Sequence, residues 1–150
     1  MNDEYFMEMA LNLAKKGIGF TNPNPLVGAV IVKDGKVIGK GYHEKYGENH
    51  GEINALNNAK EDVHGATMYV NLEPCSHFGN VPPCVNRIIE SGIKKVVIAM
   101  EDPNPIVSGK GIQILKENGL EVKIGVLKKE AEKLNEIFIK YISTGKPFVI

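Results

Sequence analysis

HGEINALNNAKEDVHGATMYVNLEPCSHFGNVPPC, running from His50 to Cys84, decides how this chain is read. It holds both cysteines of the chain, together with three of its four histidines and four carboxylates. His50-Gly51-Glu52 stands at its start, Glu73-Pro74-Cys75 near its end, and Cys84 closes it. One imidazole, two thiols and a nearby carboxylate are the inventory of a site where zinc activates water. Such a site needs three protein ligands and one open position. His50, Cys75 and Cys84 are the candidate metal ligands. Glu52 lies two residues past His50, close to the metal without having to bind it, and is the candidate catalytic group that moves protons. A disulfide is the plain alternative for any pair of cysteines. It would give His50 and Glu52 no role, and so few cysteines in an ordinary-sized domain fit a reducing cytoplasm.

The same stretch sets the fold class. Ile53, Ala55, Leu56 and Ala59 recur at helical spacing behind His50. Thr67-Met-Tyr-Val-Asn71 reads as a short buried strand, and Glu73-Pro74-Cys75 lies just past its end, where sites collect in open α/β sheets. Pro82-Pro83 leads into a helix over 85–91 with Cys84 at its start. Two ligands are therefore expected near helix N-termini, where a thiolate is stabilised.

Upstream, Asn2 or Asp3 can cap a first helix carrying Phe6, Met9, Ala10, Leu13 and Ala14, with Gly17 as its stop. Thr21-Asn-Pro-Asn-Pro25 cannot be helical and makes a rigid loop. It is either a plain connector or a substrate-facing segment in which Asn24 offers a donor and an acceptor. A strand over 27–32, a tight turn at Lys33-Asp34-Gly35 and a partner strand over 36–42 form a hairpin. His43 follows: it is either an ordinary surface histidine of the loop, the commoner case, or, by its place just ahead of His50, a residue lining the pocket.

Downstream come a strand over 95–100, the polar loop Asp102-Pro-Asn-Pro105, a helix over 111–118 closed by Gly119, and a strand over 121–125. A long amphipathic helix is expected from Lys129 to about Ser143, with Ala131, Leu134, Ile137, Phe138 and Tyr141 inward. Phe148-Val149-Ile150 reads as the start of another strand. The predicted architecture is α/β, a three-layer α/β/α sandwich with a mixed sheet of about five strands.

At 150 residues the chain fits one domain with its own core. Eighteen Lys plus Arg balance eighteen Asp plus Glu. That balance leaves no basic face for phosphate neutralisation and argues against a nucleic-acid partner. No apolar run is long enough to span a membrane, and Met1-Asn-Asp-Glu4 is unlike a signal peptide.

His-x-Glu followed by Pro-Cys and a second Cys is a general mark of zinc deaminases acting on nucleobases. Together with Asn22-Pro-Asn-Pro-Leu-Val-Gly28, Gly41-Tyr-His43, Asn71-Leu-Glu-Pro-Cys-Ser-His77, Pro82-Pro-Cys84, Asp102-Pro-Asn-Pro105 and Leu134-Asn-Glu136, it makes the whole chain resemble the cytidine-deaminase-like superfamily. Within that superfamily it is similar to the deaminase domain of the bifunctional riboflavin-biosynthesis pyrimidine deaminase/reductase. The long Cys75-to-Cys84 spacing is the most discriminating feature.

The resemblance implies one zinc per chain. It implies hydrolytic removal of the 2-amino group of 2,5-diamino-6-ribosylamino-4(3H)-pyrimidinone 5′-phosphate, an early step of riboflavin biosynthesis. It places Asn24, His43, His77, Asp102 and Asn104 around the substrate, and it is compatible with a dimer or tetramer of the chain. In the bifunctional family the reductase begins near Lys146-Pro-Phe-Val149. Residues 1–145 are therefore expected to be the deaminase domain, and residues 146–150 the start of a following domain or the end of a stand-alone enzyme.

Two positions depart from the family pattern. Gly51 stands where Ala is usual, and Asn80 where Lys or Arg is usual. Asn80 can hydrogen-bond a phosphate but not neutralise it. This favours the alternative of a zinc deaminase for another base, nucleoside or modified pyrimidine. A structural zinc module, with His77 as fourth ligand, is the remaining alternative.

Overall fold

The computed structural model describes residues 2–21, 24–76 and 83–136. α1 (Asp3–Lys15) begins at Asn2, whose side chain accepts a hydrogen bond from the Tyr5 amide at 3.2 Å. Gly17 does not end this helix through a left-handed turn, because its φ is not positive. Its need for glycine is contact: a Cβ there would lie 2.6 Å from the His43 carbonyl oxygen.

β1 (Gly28–Lys33) and β2 (Lys36–Tyr42) pair antiparallel across the two-residue turn at Asp34 and Gly35, both with positive φ. α2 (Gly51–Asn57) follows, then β3 (Thr67–Leu72), α3 (Cys84–Ser91), β4 (Lys95–Met100), α4 (Lys110–Glu117), β5 (Glu121–Ile124) and α5 (Lys128–Leu134). α2 is shorter than its apolar pattern suggested, and Ala59 falls beyond its end.

The sheet has five strands in the order β2-β1-β3-β4-β5. β1 is antiparallel to both neighbours, whereas β3, β4 and β5 run parallel and are joined through α3 and α4. β1, β3 and β4 are buried almost throughout, which is why they read as continuous apolar runs instead of alternating ones. α1 and α5 touch each other and cover one face; α2, α3 and α4 touch in succession on the other. The expected sandwich is thus observed, with one continuous apolar core through both faces.

α5 closes at Leu134 and Asn135 takes up a non-helical conformation, after which Glu136 is helical again; the rest of the expected helix, to about Ser143, lies outside the described residues. The Asn135 side chain leaves the helical pattern to bind the backbone of Leu26, accepting from its N–H at 2.8 Å and donating to its C=O at 3.0 Å. Ala131 is buried and Leu134 packs on the core as predicted. Ile137, Phe138, Tyr141 and the expected last strand lie outside the described residues.

Candidate metal and active site

Parallel pairing aligns Leu72 with Met100, so β3 and β4 deliver their outgoing loops to the same sheet end. β3 runs straight into Glu73-Pro74-Cys75. α3 starts at Cys84, whose amide donates to the Cys75 sulfur at 3.1 Å. His50 is the residue from which α2 springs, so three elements converge on one point.

There the His50 Nδ1 lies 3.3 Å from the Cys84 Sγ and 3.9 Å from the Cys75 Sγ. The three donor atoms lie within 4.8 Å of one another. Tetrahedral zinc with ordinary Zn–S and Zn–N lengths holds its donors about 3.6–3.8 Å apart, so the set fits that ion. The cysteines are not bridged. Hydrogen bonding from Cys84 holds the Cys75 thiol down, at about 4, with further help from His50 and the Cys84 amide against the cost of burial. The Cys84 thiol is pushed up, first by that same hydrogen bond and then by burial. His50 is raised, first by its bond with Cys75. A thiolate beside an imidazole and a second thiol is a donor set that suits zinc.

Glu52 sits in the first turn of α2 and is 2% exposed. Its Oε1 is the one buried side-chain oxygen or nitrogen among the described residues with no hydrogen-bond partner. Burial pushes its carboxyl up to about 7, opposed by the charge of His50. A buried carboxylate with one oxygen unpartnered, beside a metal-binding cluster, is held ready for a proton. Gly51 lets this turn close on the sheet: a Cβ there would lie 2.7 Å from the Val27 carbonyl oxygen, so an alanine would have to push that carbonyl away.

His43 is 1% exposed and packs edge-on against His50, with ring centroids 5.1 Å apart. Its Nδ1 is 3.0 Å from the Asn49 carbonyl oxygen, which can only accept, so Nδ1 carries the hydrogen. Nε2 then accepts from the Asn24 Nδ2 at 3.3 Å. Burial holds the His43 pKa down and favours this neutral form. Asn24 and His43 are therefore brought together beside His50.

Asp102 and Asn104 lie in the loop leaving β4. The Asp102 Oδ1 accepts from the Asn104 amide at 2.9 Å, and the Asn104 Oδ1 from the Ile106 amide at 3.0 Å. Each thus shapes its own loop. His77 and Asn80 lie outside the described residues.

Sequence reasoning assigned no role to three polar residues that the structure shows holding this end of the molecule. Asn71, in a strand otherwise apolar except for its first residue, accepts from the Gly28 amide at 2.8 Å and donates to the Leu26 carbonyl at 2.9 Å. Asn135 grips Leu26 from α5, and Glu73 binds the loop after β4. A lone amide deep in a strand was the available signal for Asn71. Asn135 and Glu73 act on backbone far away in sequence, which leaves no local trace.

The zinc-binding region family of cytidine and deoxycytidylate deaminases matches residues 1–100. The diaminohydroxyphosphoribosylamino-pyrimidine deaminase of Buchnera aphidicola subsp. Schizaphis graminum is 54% identical, across 98% of this chain and 100% of its own length. The chain belongs to this zinc-binding deaminase family, on its riboflavin-biosynthesis branch. The riboflavin biosynthesis protein RibD of Aquifex aeolicus is 55% identical over 98% of the chain, but only 41% of that protein is covered. The solved RibD structure from Acinetobacter baumannii superposes with a TM-score of 0.93 at 53% identity, covering 97% of this chain and 41% of that one. The chain thus spans about two fifths of these longer relatives. Among the described residues no helix is long and apolar enough to cross a membrane.

Proposed function

We propose that the chain catalyses hydrolytic deamination of 2,5-diamino-6-ribosylamino-4(3H)-pyrimidinone 5′-phosphate, releasing ammonia and leaving the 5-amino-6-ribosylaminouracil phosphate. The observation that carries this reading is the orphaned, buried Glu52 Oε1 beside the His50–Cys75–Cys84 cluster. The full-length match to a relative named for that deaminase supplies the substrate class.

His50, Cys75 and Cys84 would hold the zinc. Zinc held by three such donors supplies the Lewis acidity that makes water nucleophilic near neutral pH. Glu52 takes a proton from the attacking water at its carboxylate. It returns protons to the ring nitrogen and to the departing amine, so water is consumed and ammonia leaves. Its burial keeps bulk water from competing for that carboxylate. The neutral His43 fixes the side-chain amide of Asn24 with Nδ2 inward, which turns Oδ1 toward a donor on the base. Asp102 and Asn104 border the substrate from the loop after β4. Two unbridged cysteines fit a cytoplasmic enzyme.

The test is ammonia release by zinc-quantified protein from the phosphorylated substrate and from its dephosphorylated form. Release from the phosphorylated substrate, with about one zinc per chain as three-ligand sites require, is the expected result. Release from the dephosphorylated form alone would transfer the activity to a nucleoside-type substrate. No release from either would remove the substrate assignment.

A further inference from the structure

Glu73 is 5% exposed, and its carboxylate is fully engaged by backbone. Oε1 accepts from the amides of Asp102 at 2.9 Å and Gly109 at 3.0 Å. Oε2 accepts from the amides of Gly111 at 2.9 Å and Ile112 at 3.2 Å. The first pair marks the two ends of the loop after β4, so one oxygen closes that loop. The second pair belongs to the first turn of α4. The residue preceding that helix is Gly109, which has no side chain with which to cap it. Glu73 supplies the missing acceptor from just past the end of β3.

The fit is close. A Cβ on Gly111 would lie 2.4 Å from the Pro74 carbonyl oxygen, so the start of α4 rests directly on the Pro74–Cys75 peptide. The Glu73 amide also donates to the Met100 carbonyl at 3.0 Å, tying the ends of β3 and β4. Two residues further on is Cys75. Inside the clipped loop, Asp102 and Asn104 direct the chain through their own side-chain oxygens. The carboxylate thus sets the distance between a metal-binding strand end and the loop carrying Asp102 and Asn104.

We propose that Glu73 is a positioning residue: its carboxylate clips both ends of the 102–109 loop to the strand end that delivers Cys75, and so places Asp102 and Asn104 against the pyrimidine ribosyl phosphate. This rests on the reading of that loop as substrate-facing. Glu73 does not touch the reacting atoms, because its oxygens already face four N–H groups. Its effect is therefore on substrate affinity and not on the chemical step.

The test is Glu73→Gln against wild type, both zinc-loaded and metal-quantified. Glutamine keeps the shape but turns an NH2 group toward two N–H donors, which frees one side of the clip. Loss of buried hydrogen bonds of this kind predicts a KM raised about tenfold, with kcat within about threefold of wild type. Zinc content stays at the wild-type value. In the Asn104→Ala background the KM penalty of Glu73→Gln shrinks, since both changes act through one loop. Backbone hydrogen exchange gives a readout independent of substrate: residues 102–112 lose protection in Glu73→Gln while β1, β3 and β4 keep theirs.

A lower kcat with unchanged KM would overturn the proposal, as would lowered thermal stability with unchanged KM. Penalties that multiply in the double variant would overturn it too. If wild type does not turn over this substrate, the proposed function fails. The exchange experiment still decides the clip, and unchanged protection over 102–112 refutes it. Should Glu73→Gln not fold, Glu73→Asp keeps the charge and withdraws it by one methylene, with the same pattern expected at smaller size.

Discussion

Glu52 and Glu73 are both buried acids at the same end of the sheet, yet their oxygens meet opposite surroundings. Glu73 accepts four backbone N–H bonds, whereas the Glu52 Oε1 accepts none. The Glu52 Oε1 can take a proton without giving up a hydrogen bond. Replacing Glu52 by Gln is therefore expected to lower kcat by about 10²–10⁴-fold, the range for loss of a general acid-base group. Zinc content should stay at the wild-type value, and the melting temperature should not fall, because a buried carboxylate oxygen without a partner is a cost to the fold. Metal analysis, calorimetry and steady-state rates on one preparation check all three. Turnover equal to wild type would remove Glu52 from the mechanism. At this scale the sequence was informative where chemistry is scarce: two cysteines, one His-x-Glu and nothing to compete with them. It was silent on Glu73, whose partners lie 29 to 39 residues away and are backbone amides that carry no residue signature.

Elements whose pattern is local were legible. Asp34-Gly35 fixed the hairpin turn, and the apolar runs of β3 and β4 fixed strands buried on both faces. The break in α5 at Asn135 was not, because the side chain that makes it bonds to Leu26, on a segment 109 residues distant. A similar long-range tie joins α1 to the sheet. The Asp3 Oδ2 accepts from the Lys123 Nζ at 2.7 Å, and its Oδ1 from the Tyr69 hydroxyl at 2.7 Å. The bond from Lys123 holds the Asp3 carboxyl below its ordinary 3.8, against a smaller opposing effect of burial. A carboxyl held down in the fold stabilises it at pH above the unfolded value. That stabilisation is lost as pH falls through the lowered folded value. Asp3→Asn should therefore destabilise the protein by about 1 kcal/mol at neutral pH, a modest figure because Lys123 is half exposed. The difference from wild type should shrink below about pH 4, where the wild-type carboxyl protonates too. Denaturant melts at neutral and acid pH measure it. A difference that persists unchanged into acid would mean that the ion pair contributes nothing.

For the molecule as a whole, strand order was beyond local reading. Nothing in the strand sequences says that β1 must lie between β2 and β3, antiparallel to both. That order follows from burying the hairpin against the β3–α3–β4–α4–β5 unit, and it brings three separate elements to one point. His50 precedes α2, Cys75 follows β3 and Cys84 opens α3. An ion held by all three cross-links both helices to the sheet end, so binding free energy becomes folding free energy. Removing the metal with a chelator is expected to lower the melting temperature by roughly 10 °C, taking about 4 kcal/mol for a tightly held ligand in a domain of this size. Zinc should restore it and magnesium should not, because magnesium demands oxygen donors. Cys84→Ser should melt near the chelated wild type and respond weakly to chelator. Wild-type protein whose melting is indifferent to chelator, with zinc demonstrably removed, would leave the three donors as neighbours in space and not as a metal centre that the fold relies on.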